Sequence, residues 1–85
     1  MEGVAIGRIV HYFHPRYTRP RAAIIVEDWG DGGGDAGRVN LRVFLDGTND
    51  SLENNHATSW ETSVVHKSAA AEQHAAHYWD WPARA

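Results

Sequence analysis

Five residues that can bind an anion occur together in one short stretch of this chain. Arginine guanidinium groups form paired hydrogen bonds to phosphate or carboxylate oxygens, and an aromatic ring beside them offers a stacking surface. The stretch also contains two prolines, which fix the backbone and cannot donate to a sheet, so we expect a loop rather than a strand. The predicted ligand-binding residues of this loop are His14, Arg16, Tyr17, Arg19 and Arg21.

Two tryptophans near the end of the chain would complete such a site. Trp79 and Trp81 are two residues apart, which places both on one face of an extended segment. Their indole rings can stack on a base, and together with the arginine loop they would suit a nucleotide-derived ligand. An alternative stays open: the arginines pair with Glu27, Asp28 or Asp46 in solvent, and the tryptophans fill the core.

No combination of residues predicts catalysis or a resident metal. His74 and His77 would share one face of a helix but Glu72 would not, and a catalytic zinc normally has three protein ligands. The glycine-rich residues 30–37 lack the Lys-Ser/Thr pair of a phosphate-binding loop. The chain has no cysteine and no Gly-x-Ser-x-Gly motif. We therefore predict a non-enzymatic protein with no cofactor and no metal.

Five segments have the patterns of β-strands, and residues 39–46 have the clearest one. Four apolar side chains there alternate with Asn40, Arg42, Phe44 and Asp46, so one face must be buried while the other meets solvent or a partner. We expect this strand at the centre of an antiparallel sheet. We also expect Leu41→Ala to destabilise the protein far more than Asn40→Ala. The other predicted strands are residues 7–13, 22–29, 60–66 and 78–82.

Short strands separated by turn-rich segments favour a mainly β fold. The prediction is a single small β domain over residues 1–85: an antiparallel curved sheet or SH3-like barrel of four to five strands. The alanine-rich residues 68–77 would form at most one short helix or an ordered loop, because ten residues are marginal for a helix without docking. An open sheet with one short helix is the alternative architecture.

Composition limits the partners and the compartment. The chain has 8 Lys and Arg against 11 Asp and Glu, a net charge of −3, which makes broad nucleic-acid binding an unfavourable interpretation. Neither a secretory segment nor a membrane-spanning apolar run is present in the sequence, so we expect a cytosolic protein without membrane contact. A chain of 85 residues buries a modest core, so we expect an aromatic core and self-association as a homo-oligomer to add stability.

Several blocks of the sequence, in order, resemble a family of small proteins encoded by tailed phages and prophages. The family more often ends in a Gly-Thr-Trp-His-Trp-Pro-like segment, where this chain has His77-Tyr78 for Gly-Thr and Asp80 for the histidine. The resemblance implies no catalytic residue. The blocks that carry it are residues 7–12 (GRIVHY), 21–26 (RAAIIV), 39–50 (VNLRVFLDGTND), 62–64 (TSV) and 79–82 (WDWP).

This resemblance implies a phage-encoded protein that acts by binding. We expect an anti-defence protein that sequesters a nucleotide-derived immune signal in the cytoplasm of the host bacterium. One alternative is a virion structural protein, such as a capsid decoration or head–tail component. A second is a direct inhibitor of a host defence protein, in which Glu27, Asp28, Asp31 and Asp35 would mimic phosphate, although the same acids suit a solvated loop.

Overall fold

A computed structural model describes residues 3–29, 37–46 and 57–82 of the chain. These residues form one antiparallel sheet with strand order β4-β3-β2-β1-β5, curled into a half-barrel. The predicted small curved β-sheet with a single short helix is confirmed. Residues 30–36 of the predicted glycine-rich loop lie outside the described residues. The elements are β1 (Ile9–Phe13), β2 (Arg21–Asp28), β3 (Val39–Phe44), β4 (Thr58–Val64), α1 (Lys67–Ala70) and β5 (Tyr78–Asp80).

The middle of the sheet is β2, which corrects the prediction that the strand at residues 39–45 would be central. That strand, β3, is interior, because it pairs with β2 on one side and with β4 on the other. On the far side of β2, β1 pairs with β2 and also with β5. The C-terminal strand therefore adds to the edge opposite β4 and moves the centre of the sheet to β2.

The inner face of the curl carries the main core. Alternation along β1 and β3 points every second side chain inward, as the sequence pattern predicted for Val39, Leu41 and Val43. Each large apolar side chain buried in this way stabilises the fold by about 1.5–3 kcal/mol. The buried cluster consists of Val10, Tyr12, Ala23, Ile25, Val39, Leu41, Val43, Val64 and Trp79.

Two bulges bend the sheet beside Asn40. The pairing of β2 with β3 shifts register at residues 25–27, and the pairing of β3 with β4 shifts so that Thr62 and Ser63 lie opposite Asn40. Such bulges increase local twist and bending. Ser63 has a φ of 56°, and its backbone N–H donates to the Asn40 Oδ1 atom over 2.9 Å. The same oxygen accepts from Thr62 Oγ1 at 2.8 Å and from Trp29 Nε1 at 2.9 Å.

The sequence pattern assigned Asn40 to the solvent-facing side of β3, and this assignment is wrong. Asn40 is buried, whereas Arg42 and Phe44, on the same nominal face, are exposed. The bulges interrupt the two-residue alternation at this point, so a side chain that regular pairing would expose is covered by the neighbouring strand.

The two edges of the sheet are tied together near the start of β5. The Trp79 backbone N–H donates to the Val65 carbonyl oxygen at 3.1 Å, and Trp79 forms an isolated parallel bridge with His66. His66 Nδ1 accepts the Ser68 backbone N–H at 3.0 Å, and its Nε2 donates to Asp80 Oδ1 at 3.0 Å. His66 therefore caps α1 and anchors β5 at the same time.

The alanine-rich segment forms one helical turn followed by further turns. Ala69 and Ala70 are buried and pack with Val65 and Tyr78 in a second, smaller apolar cluster. The helix thus ends well before residue 77, because a short alanine run without further docking does not propagate. Across the described residues, no helix has the length and apolar character needed to cross a membrane.

Candidate functional site

The turn that joins β1 to β2 is organised by His14. The His14 carbonyl oxygen accepts the backbone N–H of Tyr17 at 3.0 Å. The Nδ1 atom of its ring accepts the backbone N–H of Arg16 at 3.1 Å. Pro15 and Pro20 fix φ at two further positions. The backbone of this turn is therefore restrained, so its side chains project from fixed positions.

An open cleft with a volume of about 350 Å³ is formed by this turn and the segment that leads into β5. Phe13 and Tyr78 stack within it, with ring centroids 5.1 Å apart and ring planes at 21°. The volume lies near the lower end of the range of about 300–1,000 Å³ usual for small-molecule sites. Residues that line the cleft are Phe13, His14, Pro15, Tyr17, Thr18, Arg19, Pro20, Ala76 and Tyr78.

One arginine lines the cleft, and two others lie against the ring of Tyr17, which is also a lining residue. Arg19 lines it directly, and the guanidinium groups of Arg16 and Arg21 lie 5.4 Å and 5.0 Å from the centroid of the Tyr17 ring. Arg21 also donates to the Arg19 carbonyl oxygen at 3.2 Å. Within the residues that the structure describes, neither Arg16 nor Arg19 has an ion-pair partner. These two cations are therefore available to a bound anion.

A group of polar and aromatic side chains lies next to the cleft, and it shares His14 and Tyr17 with it. We call this group the inner cluster: Tyr12, His14, Tyr17, Glu61 and His77. The ring centroids of His14 and His77 are 5.6 Å apart, and the Tyr12 centroid lies 5.6 Å from that of His77 and 6.2 Å from that of His14. Tyr12 is fully buried, so its hydroxyl group depends on these neighbours for its hydrogen bonds.

The Tyr12 hydroxyl meets a histidine and a nearby acid in this cluster. It lies 2.8 Å from His77 Nδ1, and the Glu61 charge acts on the same phenol. Which of the two groups donates in the Tyr12–His77 hydrogen bond depends on the tautomer of His77.

The backbone fixes the proton position of His14. A backbone N–H can only donate, so Nδ1 of His14, which accepts the Arg16 N–H, carries a lone pair and the neutral ring has its proton on Nε2. Within the described part of the chain, neither Nε2 atom has a hydrogen-bond partner. His14 therefore brings an unused hydrogen-bond donor into this cluster.

The protonation of Tyr12 and His14 is shifted by their surroundings. Burial first, and then the Glu61 charge, raise the pKa of Tyr12 above its usual value of 10.0, so the phenol stays neutral at physiological pH. Burial, the Arg16 guanidinium and His77 lower the pKa of His14 below 6.5, against a smaller opposing effect of Glu61. His14 is therefore predominantly neutral near pH 7 when no ligand is bound.

Trp79 and Trp81 lie in a different setting from the arginine loop. Trp79 is fully buried, and its Nε1 donates to the Gly37 carbonyl oxygen at 2.7 Å. Its ring makes edge contacts with His66 and Trp81, at centroid distances of 4.6 Å and 4.9 Å. Trp81 is half-buried beneath the Arg8 guanidinium, 5.1 Å from its ring. The structure thus groups His14, Arg16, Tyr17, Arg19 and Arg21, but places the two tryptophans among packing contacts.

Tyr12, Glu61 and His77 were not in the predicted ligand-binding set. Both faces of the predicted first strand carry bulky side chains, so the sequence indicated neither the burial of Tyr12 nor its partners. Glu61 comes to the inner face because it pairs with Leu41 across β3 and β4. Only the register of that pairing, which the sequence does not specify, shows that this acid meets Tyr12.

The remaining polar candidates do not assemble into a metal centre. His74 is exposed and has a φ of 54°, and residues 72–77 continue beyond α1 instead of extending it. No group of three His, Cys, Asp or Glu side chains in the described ranges is arranged to hold a metal ion. Asp31 and Asp35, predicted as phosphate mimics, lie outside the described residues, while Glu27 is exposed.

The fold and the site together define a small half-barrel protein with an aromatic and cationic cleft beside a cluster of tyrosine, histidine and glutamate side chains, of which Tyr12 is fully buried. No family model, no curated protein and no solved structure matches the chain. The functional argument therefore depends on the chemistry of the cleft and of the inner cluster.

Proposed function

We propose that this protein is a non-enzymatic binding protein that holds a nucleotide-derived anion in the cleft. The observation that carries the proposal is the combination, in one cleft, of stacked aromatic rings with Arg19 and His14, next to Arg16. Planar rings suit a base, and guanidinium groups suit phosphate oxygens. Neither Arg16 nor Arg19 forms an ion pair with any of the described residues, which favours an external anion as their partner.

The proposed site has the chemistry for recognition of an anion that carries an aromatic or apolar part. Arg19 and the neighbouring guanidinium groups attract phosphate, and the Phe13–Tyr78 pair offers an apolar surface to the rest of the ligand. A cleft of about 350 Å³ encloses one nucleotide unit more readily than a long oligonucleotide. The ligand class is therefore a mononucleotide, a cyclic nucleotide or an ADP-ribose derivative.

Isothermal titration calorimetry of the full chain against a panel of these compounds tests the proposal. We expect at least one to bind, and we expect Arg19→Ala to weaken that binding roughly tenfold or more, since a charged hydrogen bond contributes about 1.5–3 kcal/mol. Tyr78→Ala should weaken the binding of nucleotides more than the binding of pyrophosphate, which has no ring to stack.

Arg42→Ala is the matched control, because it removes the same charge from the exposed face of β3, where Arg42 lies 5.5 Å from the Trp60 ring. This variant should bind as the unmodified protein does. Equal losses in Arg19→Ala and Arg42→Ala would show that only net charge matters. No heat with any compound would refute the proposal.

We propose that the biological role is sequestration of a host immune signal by a phage protein in the bacterial cytoplasm. The family resemblance and the chemistry of the cleft together support this role. Sequestration differs from degradation in a measurable way. The protein should suppress a signal-activated effector only at stoichiometric amounts, and heat denaturation should release the signal unchanged in chromatography. A chemically altered product, or suppression at catalytic amounts, would instead identify an enzyme.

An assembly role, as a virion component or a homo-oligomer, is the second candidate, and it is favoured by the outer face of the sheet. Ile9, Trp60 and Phe44 are 55%, 50% and 43% exposed there. Ile9 pairs with Ile24, and Arg42, opposite Ile24, pairs with Trp60, so a strip that is apolar except for Arg42 crosses four strands. Many copies in purified particles by mass spectrometry would support the virion role, and complete absence would exclude it.

A further inference from the structure

We propose that two copies of this protein join through β4, whose outer edges pair antiparallel about a two-fold axis at Trp60. One continuous sheet would then run from β1 of one copy, through the two β4 strands, to β1 of the other. The inference is independent of the proposed anion binding, because β4 contributes none of the residues that line the cleft. It also differs from contact through the outer face of the sheet, because it uses backbone groups.

Every second residue of β4 turns its backbone N–H and C=O groups away from β3. The Leu45 N–H donates to the Ala57 carbonyl oxygen at 2.8 Å, and hydrogen-bonded pairs alternate with non-hydrogen-bonded pairs along an antiparallel ladder. Ser59 and Glu61 therefore bond to β3. Among the described residues, the outward groups form no hydrogen bond. These groups belong to Thr58, Trp60 and Thr62.

The hydrogen bonds of β2 give the same assignment from the other side of the sheet. The Ile25 N–H donates to the Arg8 carbonyl oxygen, and the Ile25 carbonyl accepts from the Gly7 N–H, so Ile25 bonds toward β1. Ile24 then bonds toward Arg42 of β3. Arg42 bonds toward β2 and not toward Trp60, which leaves the backbone groups of Trp60 at the open edge.

This edge lacks the features with which proteins block strand pairing. Edge strands avoid association through proline, lysine or bulges. Residues 58–62 contain neither proline nor lysine, and the bulge of β4 begins at their end. Trp60 and Thr62 are exposed. The opposite edge differs, because the Trp79 N–H of β5 donates to the Val65 carbonyl oxygen of the same chain.

The alternation and the charge of Glu61 select one register. Outward residues must face each other as hydrogen-bonded pairs, each of which exchanges two backbone bonds. With Trp60 opposite Trp60 of the second copy, Thr58 lies opposite Thr62, and all three outward positions are used. A shift in one direction places Glu61 opposite Glu61, where like charges repel. A shift in the other direction uses only two of the outward positions.

The side chains on both faces are complementary in this register. On the inner face, Ser59 lies opposite Glu61 of the second copy in a non-hydrogen-bonded pair, where side chains are closest. Ser59 Oγ donates to Glu61 Oε2 within the chain at 3.2 Å, so the second copy offers this hydroxyl a like acceptor. On the outer face, the two Trp60 rings meet at the axis, each with the Arg42 guanidinium 5.5 Å from its centroid.

Sedimentation equilibrium of the full chain over a range of concentrations tests the association. We expect an equilibrium between the 9.5 kDa chain and a species of twice that mass, because a two-fold contact closes at two copies. The mass of a single chain at every concentration would refute the proposal, and so would assemblies larger than two.

Two variants of Trp60 separate edge pairing from contact between indole rings. Trp60→Thr and Trp60→Pro both remove the ring, but only proline removes the outward N–H, and proline is tolerated at such an edge position. We expect Trp60→Pro to weaken the dimer about tenfold or more beyond Trp60→Thr, since two hydrogen bonds are lost. Equal weakening by the two variants would overturn the edge pairing.

Two further variants keep the Trp60 ring. Thr58→Pro also removes an outward N–H and should weaken the dimer similarly, so it decides the question if circular dichroism shows that Trp60→Pro does not fold. A dimer of unchanged strength in Thr58→Pro would refute the proposal. Ile9→Ser, on the outer face of β1, is the control and should leave the dimer unchanged. Weakening by Ile9→Ser would assign the contact to the outer face instead.

Cysteine cross-linking tests the register, because the chain has no cysteine of its own. Trp60→Cys places two thiols on directly paired residues with Cα atoms about 5.5 Å apart, within the range of a disulfide. Ser59→Cys places them on diagonal neighbours about 7–8 Å apart, beyond that range. We expect an oxidised dimer with Trp60→Cys and none with Ser59→Cys. A link at residue 59, or at neither position, would overturn this register.

Calorimetry with the nucleotide panel keeps the two proposals apart. All of these variants lie outside the cleft lining, so a variant that becomes monomeric should bind nucleotides as the unmodified protein does. A dimer that binds no nucleotide would support the edge pairing and refute the proposed function. A monomer that binds nucleotides would do the reverse.

Discussion

Tyr12 and Trp79 are paired directly across β1 and β5, and both are fully buried, yet their surroundings differ in kind. The one polar atom of the Trp79 side chain donates to the Gly37 carbonyl oxygen, and its ring is covered by apolar neighbours and His66. The Tyr12 hydroxyl instead lies 2.8 Å from His77 Nδ1, and the Glu61 charge acts on it. The comparison teaches that Trp79 stabilises the fold through a ring packed among other side chains, whereas Tyr12 connects the core to polar side chains beside the cleft.

The largest loss of stability is expected from removing the Trp79 ring. Trp79→Ala should cost about 3–5 kcal/mol in the free energy of unfolding, because a buried indole leaves a cavity that the short chain cannot fill. Urea denaturation followed by circular dichroism measures this change. Trp79→Phe keeps a ring and loses the bond to Gly37, so it should cost less and leave nucleotide binding intact. If Trp79→Phe abolished nucleotide binding in a folded protein, the conclusion that Trp79 serves the fold and not the site would be wrong.

A second prediction concerns Asn40, whose buried side chain accepts three hydrogen bonds at Oδ1. Asn40→Ala should destabilise the protein by about 2 kcal/mol, because three donors lose their shared acceptor and Ser63 is left in a strained backbone conformation. Arg42→Ala, two residues further along β3 and exposed, should change stability by no more than about 0.5 kcal/mol. Equal denaturation midpoints for the two variants would contradict this interpretation of the bulge.

Tyr12→Phe sharpens the comparison, because it removes only the hydroxyl group. We expect a loss of about 1 kcal/mol at neutral pH. Burial raises the pKa of Tyr12 in the folded state, so its contribution is complete below about pH 10 and is lost as the pH rises further. Tyr12→Phe should therefore lose less stability between about pH 9 and pH 11 than the unmodified protein, and an identical alkaline loss would argue against this environment.

The smallest expected effect is a pH dependence due to His14. Its pKa is lowered in the folded state by burial and Arg16, so the unfolded chain binds more protons, and the contribution of His14 is present above about pH 6.5 and lost as the pH falls. His14→Asn keeps an acceptor for the Arg16 N–H and removes the titration. Denaturation at about pH 8 and about pH 5.5 should show a smaller acid loss in this variant. A larger acid loss in the variant would mean that protonation of His14 stabilises the folded state instead of destabilising it.

Much of the fold could be predicted, because it depends on patterns that repeat along the chain. The alternation in β3 identified Val39, Leu41 and Val43 as core residues, and the prolines of the turn identified a loop. The error at Asn40 has a definite cause. A bulge changes the face of the sheet on which a side chain lies, and it cannot be detected in the alternation of apolar and polar residues. The position of β2 at the centre likewise depends on where β5 pairs, which local propensity does not decide.

The candidate site was predictable only in the part that is contiguous in sequence. His14, Arg16, Tyr17, Arg19 and Arg21 lie within eight residues, so their proximity follows from covalent connection. Trp79 and Trp81 are of a residue type that can stack on a ligand, but residue type does not distinguish a ligand-stacking ring from a ring packed in the core. Glu61 and His77 reach Tyr12 only through the pairing of strands that are far apart in the chain.

The sequence by itself determined a small antiparallel β protein with a rigid cationic turn, since strand periodicity, proline and arginine act over a few neighbouring residues. Only the tertiary structure decided which aromatic residues fill the core, and which acid and histidine lie beside the Tyr12 hydroxyl. The physical reason is that hydrogen bonds between side chains depend on sheet register, and register is a property of the whole sheet.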